Sequence, residues 1–312
     1  MRDADLIIIG AGAAGLTAAM FAGRYGLKAV VVEQLGAGGQ IINAERIDNL
    51  PGFPDGIAGH ELGPLLHQQA EAAGAEFVLD TVERLEASGV DRIVHGASET
   101  LRAPAVIIAA GSALRPLGVP GEEKFLGKGV SHCASCDGAL FAGLNVCVIG
   151  GGDSALDEAL ALAEHALRVK LCHRSAQLDA QQVLCDRVAA TDKIELALDT
   201  IVEEIVGEDA VTGVRLRDAK TGRARLEACR GVFVYVGLEP NTAFVRGLLA
   251  LDPAGHIETD INMRTSLAGV FAAGDIRAHS VAQLVAAAGD GTTAAIAAFR
   301  YLAQITPPPS RR

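Results

Sequence analysis

The chain has 312 residues, a formal net charge of −11, 36 glycines and no tryptophan, and half of its residues are apolar. That length suits two domains better than one core, and the composition suits an α/β protein rich in tight turns. The negative charge argues against nucleic acid or an anionic membrane as partner, and six cysteines are too few for a secreted disulfide scaffold.

The first element, LIIIGAGAAGLTAAMFAG (6–23), is apolar enough to imitate a signal peptide or a membrane span. Four glycines interrupt it, so it reads as strand, turn and helix, and a cytoplasmic protein is expected. Gly10, Gly12 and Gly15 have the spacing of a dinucleotide fingerprint, with Ala13 and Ala14 between them. The first glycine allows a tight turn and the second a close approach to a pyrophosphate. The third allows helix and strand to pack together. A second strand, KAVVVE (28–33), ends at Glu33, where a carboxylate can accept from ribose hydroxyls. This unit is expected to prefer an adenosine without a 2′-phosphate.

GHELGPLLHQQAEAAG (59–74) reads as an amphipathic helix, and AVIIAAG (105–111) as a buried strand ending in small residues. The Pro/Gly-rich SALRPLGVPG (112–121) marks a first boundary. A second fingerprint begins 140 residues after the first: VCVIGGGDSALDEAL, from Val146, places Gly150, Gly152 and Ala155 where Gly10, Gly12 and Gly15 stand. Asp153 and Ser154 lie inside it, and RVKLCH (168–173) is its second strand. GVRLRD and GVFVYV suggest short strands before a second boundary at VGLEPNTAF (236–244). GVFAAGD (269–275) is a further strand ending at Gly274-Asp275, and residues 280–304 read as a long helix with a bend at Gly289–Gly291. The tail TPPPSRR (306–312) reads as an unstructured end. These elements predict two Rossmann-like α/β domains of three-layer ββα type, one inserted into the other. The expected division is 1–115 with 243–312 around 116–242.

Just before the second fingerprint stands CASCDG, with Cys133 and Cys136 three apart and followed by Asp137. A zinc site normally takes four ligands, and only His132 adjoins the pair, so no metal is expected. A static disulfide across so short a loop gains little entropy. A redox-active pair is the remaining reading. If it opens a helix, the N-terminal dipole would favour a thiolate, and Asp137 could supply a proton or cap the helix. Cys147, Cys172, Cys185 and Cys229 are isolated and read as small buried hydrophobes. A nicotinamide gives a hydride, whereas a disulfide is cleaved by thiolate exchange or through a flavin. FAD in one unit and NADPH or NADH in the other is therefore the expected occupancy.

The chain resembles the low-molecular-weight thioredoxin reductases along nearly its whole length. The matching strings are GAGAAGLTAA, GGQI, IDNLPGFPDGI, CASCDG, VIGGGDSALDEAL, VGLEPNT and GVFAAGDI. The resemblance implies FAD held by the first and last segments, a nicotinamide nucleotide held by the middle one, and a homodimer whose two domains rotate. It implies FAD contacts at Gly10, Gly12, Gly15, Glu33, Gln34, Gly39, Gln40, Asn49, Ala110, Gly111, Gly274, Asp275 and Gln283. It also implies that Cys136 faces the flavin, that Cys133 attacks a thioredoxin-like disulfide, and that Asp137 is the acid. His173 and Arg174 fall in the family's 2′-phosphate string, but Ser175 and Asp179 replace its other arginines, so NADPH and NADH both stay open. An alternative function is an NADH-dependent reductase for a peroxiredoxin-type partner or a small disulfide. A non-enzymatic nucleotide-sensing or zinc module is the more distant rival.

Overall fold

A computed structural model describes residues 1–305, and the tail at 306–312 lies outside the described residues. The chain forms two compact units, one from Met1–Ala113 with the described part of Glu239–Arg312, the other from Leu114–Leu238. The second unit thus interrupts the first in sequence.

The first unit is built on a five-stranded parallel sheet in the order Val270–Ala272, Ala105–Ile108, Leu6–Ile9, Ala29–Glu33, Glu76–Leu79. Its central strands are continuous apolar runs because both faces are covered. Alternate side chains point to opposite sides. Leu6, Ile8, Val31 and Ile107 meet the helices Ala13–Arg24 and Leu284–Ile305, while Ile7, Ile9, Val32 and Ile108 pack towards a four-stranded sheet, Arg2–Asp3, Thr100–Ala103, Asp91–Gly96 and Val82–Ser88.

The second unit repeats the plan. Val130–Ser131, Gly231–Tyr235, Asn145–Gly150, Arg168–Cys172 and Ile194–Ala197 form a five-stranded parallel sheet, with a three-stranded antiparallel sheet, Thr200–Gly207, Val211–Asp218 and Ala224–Ala228, on one face. Val146 and Val148 meet the helix Asp153–His165, whereas Cys147 and Ile149 face the antiparallel layer. Both units are Rossmann-like α/β layers, and each glycine loop follows the middle strand of its sheet, where chain order reverses.

One expectation needs correction. The last helix begins at Leu284, not at 280, because His279 and Ala282 hold left-handed backbone (φ 61° and 49°), which a helix cannot contain. It also runs unbroken to Ile305. Gly291 lets it lie against the first helix, since a Cβ there would stand 2.1 Å from the Ala14 carbonyl oxygen. Among the described residues no helix is long and apolar enough to cross a membrane.

Candidate functional site

The first glycine loop is shaped by backbone contact. Gly10 sits at φ +101°, where a Cβ would come within 2.4 Å of the Ala109 carbonyl oxygen. A Cβ on Gly15 would stand 1.9 Å from the Gly10 oxygen. Gly12 differs: its nearest neighbour would be the Gly39 Cα at 4.0 Å. Gly12 caps the helix Ala13–Arg24 without any side-chain hydrogen bond, which leaves the first helical N–H groups for an acceptor from outside. The Gly38 N–H donates to the Ala11 oxygen at 2.8 Å and brings Gly38 and Gly39 beside Gly12, so three glycine backbones border one open cradle.

Glu33 ends its strand at the edge of this cradle. Its carboxylate accepts from the Ala11 N–H at 2.7 Å and from the Gln34 and Leu35 N–H groups at 2.9 and 3.0 Å. A carboxylate has about four acceptor positions, so one remains for a ribose hydroxyl. Asn49 Nδ2 donates to Gln283 Oε1 at 3.2 Å, which joins two expected site residues 234 positions apart. Gln40 donates to the Ser112 carbonyl, and Ser112 Oγ donates to the Asp275 carbonyl at 3.0 Å. Ala110 and Gly111 are tied to Asn241, whose Nδ2 reaches the Ala110 oxygen at 2.8 Å and whose N–H reaches the Gly111 oxygen at 3.1 Å. Gly274 packs on Ala14, and its N–H donates to Asp290 Oδ2 at 3.1 Å, while Arg277 Nη2 donates to Asp290 Oδ1 at 3.0 Å. Ser112, Arg277, Ser280 and Asp290 escape the sequence reading. Asn241 is visible there only as one letter of VGLEPNT.

Burial pushes the Asp275 carboxyl above the usual carboxylate range, against a hydrogen bond from Ser280 Oγ at 3.1 Å. A carboxyl with a raised folded pKa costs stability where it must ionise. The cost is absent below the ordinary aspartate range and complete above the raised value. As apoprotein at pH 7, Asp275→Asn is therefore expected to melt no lower than the parent, with any gain vanishing towards roughly pH 4. Thermal melts across pH check this.

In the second loop, Gly150 is pinned by a would-be Cβ contact of 2.3 Å to the Tyr235 oxygen, and Gly152 again faces open space, with the Asp179 oxygen nearest at 3.8 Å. Ala155 is buried and Ser154 exposed. The Asp153 carboxylate accepts from the Gln181 N–H and Nε2 at 2.8 and 2.7 Å, and the Asp179 N–H donates to the Gly151 oxygen at 2.7 Å. Residues 179–181 are thereby laced to the loop. The His173 ring lies on Gly151, with its Nε2 buried and without a partner among the described residues, while Arg174 is exposed. Both loops keep the features a dinucleotide requires: an open glycine cradle and a helix start free of side-chain caps.

Cys133 and Cys136 are joined as a disulfide with Cα atoms 5.3 Å apart. Cys133 caps the short helix Ala134–Asp137. A single turn carries little macrodipole, so the helix-dipole argument for a thiolate does not apply here. A local donor takes its place: the Cys136 N–H reaches Cys133 Sγ at 3.2 Å. Ser131 Oγ accepts from the Cys133 N–H at 3.1 Å, Glu158 Oε2 accepts from the Ala134 N–H at 2.8 Å, and His132 Nδ1 lies 3.3 Å from the Val234 oxygen. Cys136 is exposed and Asp137 half-buried. Among the described residues no group of three or more His, Cys, Asp or Glu is arranged to hold a metal ion. Cys147, Cys172 and Cys229 are buried; hydrogen bonds from Cys172 and Cys229, together with burial, push the Cys147 thiol well up, which makes it a poor nucleophile. Cys185 departs from expectation, being only half-buried.

Residues 4–291 match the pyridine nucleotide-disulphide oxidoreductase family. Thioredoxin reductases from Mycolicibacterium smegmatis and Streptomyces clavuligerus are each 42% identical, over 96% of this chain and 97% and 94% of their own. Among solved structures, Lactococcus lactis thioredoxin reductase superposes with a TM-score of 0.95 at 38% identity, covering 96% of this chain and 99% of its own. The thioredoxin reductase of T. acidophilum gives 0.93 at 35% identity, with 98% of this chain and all of the other covered. The chain belongs to the pyridine nucleotide-disulphide oxidoreductase family, and it is an FAD-dependent NAD(P)H:disulfide oxidoreductase of thioredoxin reductase type.

Proposed function

We propose that this family member reduces the disulfide of a thioredoxin through Cys133 and Cys136, acting as a cytoplasmic homodimer. The single observation that carries the reading is the disulfide at Cys133–Cys136, set in the same unit as the second glycine loop. A bound FAD would supply two-electron chemistry that links a nicotinamide hydride to a disulfide. The cradle at Gly10, Gly12, Ala13, Ala14 and Gly15, with Glu33, Gln34, Gly39, Gln40, Asn49, Ala110, Gly111, Gly274, Asp275 and Gln283 around it, would hold that group. Gly150, Gly152, Asp153, Ser154, Ala155, His173 and Arg174 would hold the nicotinamide nucleotide, which assigns the interrupted unit to FAD and the inserted unit to the electron donor.

In the dithiol state Cys133 is the attacking sulfur, because the Cys136 N–H favours charge on its Sγ. Its thiolate forms a mixed disulfide with the substrate and releases one substrate sulfur, which takes a proton from Asp137. The Cys136 thiolate then attacks Cys133 Sγ, frees the second substrate sulfur and restores the internal disulfide. Steady-state rates with thioredoxin, a peroxiredoxin and a small disulfide test the partner. Thioredoxin is expected to give the highest kcat/KM, and a preference for either alternative overturns the assignment.

The donor follows from the second loop. Arg174 is the exposed cation there, and the backbone bond from Asp179 to Gly151 holds an acidic residue beside the loop. A 2′-phosphate dianion would gain one charge-assisted contact and meet one like charge. The kcat/KM values for NADPH and NADH are therefore expected to lie within about tenfold of each other, a difference of about 1.4 kcal/mol. A preference of about a thousandfold for NADPH would contradict this account of the pocket.

A further inference from the structure

Against the dithiol turn stand two side chains that the reaction above does not use, Glu158 and Tyr235. Glu158 belongs to the helix Asp153–His165 and reaches the Ala134 N–H, one residue from Cys133, at 2.8 Å. Behind it stands Tyr235, the last residue of its strand, only 7% exposed, with its buried hydroxyl turned towards Glu158 and the Ala134 backbone. Burial pushes this phenol well above its usual value, and the charge of Glu158, its hydrogen bond and the charge of Asp137 push it the same way. The charged and titratable groups facing the turn are Glu158 from the helix, Asp137 on the turn itself, His132 from the bend after the strand Val130–Ser131, and Tyr235 from the strand beside that one.

We propose that Glu158 is a positioning residue that restrains the dithiol: through the Ala134 N–H its carboxylate seats the turn carrying Cys133 and holds a negative charge against it. This rests on the reading of Cys133 and Cys136 as the redox pair. Two local effects then oppose each other at Cys133 Sγ. The Cys136 N–H favours the thiolate, and the half-buried Glu158 carboxylate disfavours it. The reduced thiol is thereby held in check at neutral pH.

The test uses the holoenzyme, reduced with a small dithiol, desalted without oxygen and alkylated with iodoacetamide from pH 6 to 9, with the modified cysteine identified by mass. Glu158→Gln keeps an acceptor for the Ala134 N–H and removes the charge. It is expected to speed alkylation of Cys133 at pH 7 by roughly threefold to tenfold, through a downward shift of the pH profile. Glu158→Asp keeps the charge and is expected to follow the parent profile. Tyr235→Phe keeps the wall and should also follow it. An unchanged profile in Glu158→Gln overturns the proposal. So does an equal shift in Tyr235→Phe, which would assign the effect to the Tyr235 hydroxyl rather than to the Glu158 charge. Should Glu158→Gln not fold, Glu158→Ala is read by the same criterion. Alkylation needs only a reduced thiol at 133, so this outcome is separate from whether Cys133→Ser abolishes turnover.

Discussion

Replacing Cys133 or Cys136 by serine is expected to cut nucleotide-driven disulfide reduction by about a thousandfold or more, while the nucleotide still bleaches the flavin. A serine hydroxyl stays protonated at neutral pH and cannot accept electrons as a sulfur bridge does. The two variants should fail differently. Cys136→Ser retains the sulfur that attacks substrate and lacks the one that resolves the mixed disulfide, so a covalent adduct with substrate should accumulate and be visible by mass. Cys133→Ser should form none at that position. No other cysteine can take over: Cys147, Cys172 and Cys229 are buried, and the Cys185 thiol turns to the Ala180 carbonyl at 3.8 Å. Turnover within tenfold of the parent in both variants would remove the dithiol from the mechanism.

The second large effect separates two glycines of one loop. Gly15→Val drives a side chain into the Gly10 carbonyl oxygen, 1.9 Å from the ideal Cβ, and neither backbone segment can yield. A cost of about 3 kcal/mol or more is expected, which lowers the apoprotein melting temperature by roughly 10 °C. Gly12→Ala meets nothing closer than 4.0 Å, and its φ of −76° suits any residue, so the apoprotein should melt like the parent. Its methyl group instead enters the cradle, and FAD affinity is expected to fall about tenfold or more. Melting curves and flavin titrations of the two apoproteins read the contrast. Equal effects on folding and on flavin binding would mean that the loop is structural filler.

How much of this could be read from sequence depended on the range over which each signal acts. The glycine loops were legible because tight turn, close approach and helix packing all impose glycine or alanine at fixed spacing, as at Gly10, Gly12 and Gly15. The strand Val82–Ser88 was not, since only Leu85 is buried in it and charged residues occupy much of the remainder. The start of the last helix was misplaced because left-handed backbone at His279 and Ala282 leaves no mark in residue type. Asn49 and Gln283 are expected as site residues from family resemblance alone, while their hydrogen bond to each other, like the contacts of Asp290 and Glu158, is one that the fold creates. The lacing of Asp179 to Gly151 is likewise a backbone event that no side-chain pattern announces.

The most direct measurement is an anaerobic reductive titration of the purified holoenzyme beside a Cys133→Ser/Cys136→Ser double variant, followed by flavin absorbance. Flavin and disulfide each store two electrons, so the parent should take up about four per chain before full bleaching and the double variant about two. Equal uptake by both proteins would show that no electrons pass to this sulfur pair and would contradict the account.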